Sequence, residues 1–331
     1  MGKGKTPLPL TSLVQGFVMT IKTEGKAPST IEYLEGNLKR FLWYAHQQGW
    51  PDDSHAVDVW KIREFLGYCA TARNRWGATG RGSQSSEKPA SSGAWRYYRT
   101  LRRLFNWAVS EGLIKESPMA NIKVERPKEK PVEPYTLEEI RKMTAICDHD
   151  FKNGAQFLGA RNKALVLLFL DTGLRLAEMA SLRLKDVDID KGRITVLGKG
   201  GYQRVVPFHT GAKKVLWRYL LHREERAERF GRAGDWLWLN EEGRRLTREG
   251  IDTAILRLKS RAGITSAGTV HKLRHTFAVN ALRGLKDPFL LQLLLGHKSL
   301  EMTRRYTQSL KIEEALEAHA HASPVDRMGL V

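Results

Sequence analysis

The stretch "KVERPKEKPVEP", residues 123–134, constrains the fold of this chain more than any other feature. Each of its three prolines fixes φ, removes a backbone donor and biases the preceding residue away from helix. Neither a helix nor an inner strand runs through such a segment, and its mixed charges leave little to bury. The chain is therefore expected to fold as two units, residues 1–122 and 135–331, joined by a linker over 123–134. With 331 residues, 41% of them hydrophobic, each unit is long enough for its own core.

Residues 10–112 read as helices throughout: "LTSLVQGFVMTIKTEG", "STIEYLEGNLKRFLWYAHQQG", "DVWKIREFLGYCATARNRWG" and "SSGAWRYYRTLRRLFNWAVSEG". Ser29 is expected to cap the second, and Gly49 and Gly112 to stop the second and fourth. Between the third and fourth, residues 77–93 are rich in Gly and Ser and read as a loop carrying Arg81 and Lys88. The fourth helix places Arg96, Arg99, Arg102 and Arg103 among aromatics at helical spacing. That suits a helix with one face in a core and the other against phosphates, although a solvated arginine face gives the same pattern.

After the linker, Thr136 and Glu139 make a capping box at the start of a helix. "ARNKALVLLFLDTG" is a buried helix ending at Gly173, and "LRLAEMASL" starts another. "GRITVLGKGGYQRVVPF" alternates β-branched residues on both sides of a glycine turn, which predicts a hairpin, with "WLWLN" as a candidate third strand. Helices are expected over 210–230, 247–261, 270–285 and 287–296, with a last one around "KIEEALEAH". The expected fold class is mainly α with a small antiparallel β-sheet.

Fifty-five Lys and Arg against 36 Asp and Glu give a formal charge of +19, spread over both halves. A polyanion is implied as partner, nucleic acid before a membrane, with both halves touching it. The longest apolar runs, "ALVLLFL" and "FLLQLLLG", fall far short of the roughly 20 residues that span a bilayer. Two cysteines, Cys69 and Cys147, make neither a disulfide framework nor a four-thiolate metal site, which fits a reducing cytoplasm.

Polar groups that neither a core nor a loop requires stand at Arg175, Lys199, His271, Arg274, His297 and Tyr306. In "HKLRHTFAVNALRGL" a helix would turn His271, Arg274 and His275 to one side. One reading is a metal site, His271 and His275 at i, i+4 completed by His297, as in a metal-dependent nuclease. Against it, Lys272 stands where such helices carry glutamate and Arg274 puts a cation beside the metal. The other reading is a phosphate grip by guanidinium forks. At about 4 Å and an effective dielectric near 20, each cation contributes on the order of 4 kcal/mol, so two arginines rival a divalent ion.

"TGLRLAE", "GKGGYQRVVP", "HKLRH", "LLGHKS" and "TRRYTQ", in this order and at these separations, resemble the tyrosine recombinases, or phage-type integrases. The likeness runs over about residues 135–310 and reaches back through "LRRLFNWAVSEGLIKESPMANI" to the end of a helical core-binding domain of SAM-like type. It implies a two-domain clamp around DNA. It assigns Arg175 and Arg274 to phosphate binding, Lys199 to the hairpin lysine, His271 and His297 to the two histidines, Tyr306 to the nucleophile and Glu178 to a supporting acid. It further implies a covalent phosphotyrosine intermediate with no metal, cofactor or ATP. Its partner is double-stranded DNA at two recombination sites, held by four protomers that are monomers or weak oligomers when free. The amphipathic tail after Tyr306 packs in cis or onto a neighbour. Type IB topoisomerases share the chemistry. Integration, excision, dimer resolution and transposition of a mobile element all use it as well.

Overall fold

Leu10, Leu13, Val14, Phe17 and Ile21 are all buried, and their i, i+3, i+4, i+7 spacing makes one stripe of helix α1 (Leu10–Thr23). In the computed structural model the described residues are 8–72, 92–127, 133–198, 203–297 and 299–307. Helices α2 (Pro28–Gln47), α3 (Val59–Thr71) and α4 (Ser92–Ser110) complete the N-terminal unit around Phe17, Phe41, Phe65, Tyr97 and Phe105. Gly49 and Gly112 follow the second and fourth helices with positive φ, as expected.

Two helix boundaries differ from the sequence reading. The second helix begins at Pro28 with Ala27 as its cap, not at Ser29, because proline at N1 has its φ already set and no N–H to satisfy. The third, capped by the Asp58 carboxylate on the Lys61 amide, ends at Thr71. Most of the Gly/Ser stretch, with Arg81 and Lys88, lies outside the described residues.

The chain divides into compact units over residues 1–129 and 130–331. In the second, α5 (Leu137–Lys152) opens with the full Thr136/Glu139 capping box. Helix α6 (Gln156–Thr172) is buried on nearly every side and runs through the middle of the unit. It ends at Gly173, where φ is +59° and a Cβ would overlap the Phe277 ring, so only glycine fits. The short α7 (Leu176–Ala180) follows, then strands β1 (Val187–Asp188), β2 (Arg193–Leu197) and β3 (Gln203–Pro207). The sheet is antiparallel in the order β1-β2-β3, with Val187 opposite Ile194 and Ile194 opposite Val206.

The third strand is thus Val187–Asp188, and "WLWLN" is not a strand of this sheet. Leu237, Trp238 and Leu239 are buried in succession, which a half-exposed strand does not allow, and Trp236 and Leu239 make only isolated bridges. Its backbone bonds to scattered partners instead: Leu237 N donates to Leu182 O (3.0 Å), Trp238 O accepts from Leu246 N (2.8 Å), and the buried Tyr219 hydroxyl donates to Leu237 O (2.9 Å) and accepts from Leu239 N (3.0 Å).

Helices α8 (Thr210–Phe230), α9 (Arg248–Arg261), α10 (Val270–Leu285) and α11 (Pro288–Leu295) match the expected ones within a residue or so at each end. A further helix, α12 (Leu300–Thr307), was not foreseen. It packs with α10 and α11 in a small separate core of Ala278, Val279, Leu282, Leu291, Leu295 and Tyr306. The segment "KIEEALEAH" lies outside the described residues. Among those residues no helix is long and apolar enough to cross a membrane.

Candidate active site

Glu178 organises the site. Only 7% exposed on the first turn of α7, its carboxylate accepts four hydrogen bonds. Arg175 supplies its backbone N–H (2.8 Å) and Nη1 (2.9 Å), and Arg204 on β3 supplies both Nη atoms at 2.9 Å. Burial alone would push this carboxyl up; the Arg204 fork and the Arg175 bonds outweigh it and hold the pKa near 2. Arg204 also donates through Nε to Leu294 O (3.2 Å), and Arg175 through Nη2 to Gly296 O (3.1 Å). The hairpin and the end of α11 are thereby fastened to one carboxylate. Gly296 has φ +62°, and a Cβ there would stand 3.0 Å from the Arg204 guanidinium.

Arg274, one turn into α10 and 4% exposed, donates to Gly173 O, to Leu295 O (2.9 Å) and to His297 Nε2 (3.0 Å). A guanidinium only donates, so Nε2 of His297 accepts, and Nδ1 carries the proton toward Thr303 Oγ1 (2.9 Å) on α12. Burial, then the neighbouring Arg175 charge, lowers the Arg274 pKa to about 10, still protonated at neutral pH. Among the described residues no carboxylate pairs directly with Arg274. Three guanidiniums and one carboxylate leave a surplus of two positive charges, in a place where an anion would complete the balance.

Tyr306 lies beside this cluster. Its ring is 5.2 Å from that of His275 and 6.1 Å from that of His297, nearly parallel to the latter, and it is only 1% exposed. Arg175, Glu178, Arg274, His297 and Tyr306 are therefore brought together. Of the three residues expected on one side of α10, Arg274 and His275 are buried whereas His271 is exposed on the first turn. Among the described residues no three His, Cys, Asp or Glu side chains gather as a metal-binding group. Lys199 falls outside the described residues.

The chain belongs to the phage integrase family. The family pattern matches residues 135–313. A tyrosine recombinase XerC from Oceanobacillus iheyensis is 31% identical over 316 residues, 94% of this chain and 95% of its own. A tyrosine recombinase XerD from Listeria monocytogenes is 29% identical over 306 residues, 92% and 96% of the two chains. In fold, the chain is similar to XerH site-specific recombinase bound to palindromic difH substrate in a post-cleavage complex (TM-score 0.66, 22% identity, 96% of this chain and 85% of that one). It is similar also to a lambda integrase tetramer bound to a Holliday junction (TM-score 0.67, 19% identity, 91% and 78%). The activity that comes with membership is site-specific DNA recombination by tyrosine-based cleavage and rejoining.

Two residues that hold this cluster together were not singled out from the sequence. Arg204 stands in the alternating strand "QRVVP", where nothing local marks it as the partner of a distant carboxylate. Thr303, 0% exposed, holds His297 from one turn before Tyr306. In the N-terminal unit the four arginines divide. Arg99 and Arg102 are exposed, the latter 3.3 Å from the Tyr98 hydroxyl. Arg96 is half-buried on Tyr97, donating to its hydroxyl at 2.7 Å, and Arg103 lies over Phe17 and 4.0 Å from Glu24.

Proposed function

We propose that this integrase cuts and rejoins double-stranded DNA at two recombination sites, with Tyr306 attacking the scissile phosphorus. The observation that carries the reading is the surplus positive charge of Arg175, Arg204 and Arg274 around one carboxylate, immediately beside a tyrosine. Arg175 and Arg274 grip the non-bridging oxygens, and His297, once it releases Arg274 and carries a proton on Nε2, donates a further hydrogen bond to them. A phenol of ordinary pKa near 10 attacks poorly, so its proton passes to His271 as the bond to phosphorus forms. The phosphorus–O5′ bond breaks in the same step, and Lys199 protonates the departing oxygen. The product is a 3′-phosphotyrosine that keeps the energy of the broken ester. A free 5′ hydroxyl of the second site reverses the step and joins the strands without ATP.

Tyr306 must leave its packed position to reach DNA, so binding includes a rearrangement of α12. The two units close on the duplex as a clamp, residues 1–122 as the core-binding jaw and 135–331 as the catalytic jaw, with 123–134 as the linker. Four protomers hold the two sites, as in the lambda integrase assembly on a Holliday junction. The protein works in the cytoplasm, where its two buried thiols stay reduced.

The test uses a library of random genomic fragments incubated with the protein in excess EDTA. Denaturation-resistant protein–DNA adducts are expected to form, and sequencing them reveals the site. Adducts that vanish with chelator and return with zinc or magnesium would contradict the reading.

A further inference from the structure

Beside the catalytic cluster lies a second buried polar group that the chemistry above does not use. Lys272 is 3% exposed, and its ammonium donates to Ser266 Oγ (2.7 Å), lies 3.8 Å from Glu139 Oε2 and sits over the Tyr135 ring at 4.4 Å. A second buried lysine, Lys259 of α9, donates to Ser266 O and to Gly268 O (3.0 Å). Ser266 Oγ in turn donates to Glu139 Oε1 at 3.0 Å. Sequestering two ammoniums against one carboxylate is costly unless every donor is used, and a solvated lysine would meet the needs of folding more cheaply.

What these groups hold is the loop that leads into α10. The carbonyls of Ser266, Gly268 and Thr269 are bound by Lys259 and by the Tyr135 hydroxyl (3.2 Å to Gly268 O, 3.4 Å to Thr269 O). Thr269 Oγ1 donates to Asp252 (2.5 Å), and the Tyr135 amide is held by Thr276 Oγ1 (2.8 Å), itself bonded to Lys272 O. Elements around α5, α9 and α10 thus grip one turn from three sides. On the first turn of α10 that this loop leads into, His271 is exposed, set between buried Val270 and buried Lys272.

We infer that Lys272, held by Ser266, Glu139 and Tyr135, is a positioning residue for His271, fixing the backbone from which the imidazole reaches the reacting tyrosine. The inference rests on the reading of His271 as a participant in cleavage. Arg274 does not depend on Lys272 in the same way, because it has its own anchors in Gly173 O, Leu295 O and His297. Loss of the ammonium therefore reaches His271 before it reaches the phosphate grip.

The experiment is a double-mutant cycle on single-turnover cleavage of a trapped-site duplex by the full-length protein. Lys272→Met keeps the stem and removes the charge; it is expected to slow cleavage by about 10- to 100-fold, the scale of a small misplacement, with DNA affinity unchanged. In a His271→Ala background the same change should cost nothing more, whereas in an Arg175→Ala background the full loss should recur. Should Lys272→Met fail to fold, Ser266→Ala removes the hydroxyl between Lys272 and Glu139 with little change in packing and follows the same cycle. If the loss recurs in full in a slow His271→Ala background, or appears only as weaker binding, Lys272 does not act through His271 and the inference falls alone. If His271→Ala itself cleaves as fast as the wild type, the reading of His271 falls and takes the inference with it.

Discussion

Glu178 and Arg204 show how charges on single residues become both stability and chemistry. The Glu178 carboxyl is held near pKa 2 instead of an ordinary 4.5, so its pairing stabilises the fold fully above about pH 4.5 and is lost as the pH falls through about 2. That shift corresponds to on the order of 3 kcal/mol. Glu178→Gln is expected to be less stable than the wild type at neutral pH, with the gap narrowing as pH falls across that window. Urea midpoints over the acid range measure it, and a gap independent of pH would show that the pairing is not what Glu178 contributes. The sequence made Glu178 legible, three residues after Arg175 in a matching motif. It hid Arg204, because successive residues along a strand alternate by face, and sequence does not say that one side chain will turn toward a carboxylate on another element.

At the scale of elements, the helices with strong stops and full caps were the ones readable in advance: α5 with its capping box, α6 ending at Gly173, α8 ending at Gly231. "WLWLN" misled because consecutive large apolar residues in a short run suit a buried strand and a core plug equally; the contact that decides, the Tyr219 hydroxyl, comes from a distant helix. Helix α12 was not legible because it has only two turns and depends on tertiary partners: Thr303 against His297, and Tyr306 in the pocket of α10 and α11. In the DNA-free protein Tyr306 should accordingly be among the tyrosines slowest to nitrate with tetranitromethane, far slower than Tyr33, which is 45% exposed. Thr303→Val removes the acceptor from His297 Nδ1 at a cost of about 1–3 kcal/mol and should raise the Tyr306 rate. Peptide mapping reads both. Wild-type Tyr306 reacting as fast as Tyr33 would contradict a packed α12.

For the whole molecule, the +19 charge and the proline-rich break at 123–134 announced two basic units and a polyanionic partner. DNA affinity is expected to fall steeply with salt, each phosphate contact contributing a slope of about −0.9. Arg99 and Arg102 are the exposed arginines of α4, so replacing both by alanine should reduce the slope by about two if each meets a phosphate. An unchanged slope would remove this face from the DNA interface. The central claim is the covalent bond to Tyr306, and it is tested most directly by digesting the trapped protein–DNA adduct and locating the nucleotide by mass spectrometry. The account predicts a phosphodiester on the Tyr306 peptide in the wild type, and a Tyr306→Phe protein that binds the same DNA but yields no adduct. A nucleotide on any other residue, or a Phe variant that still becomes attached, would contradict it.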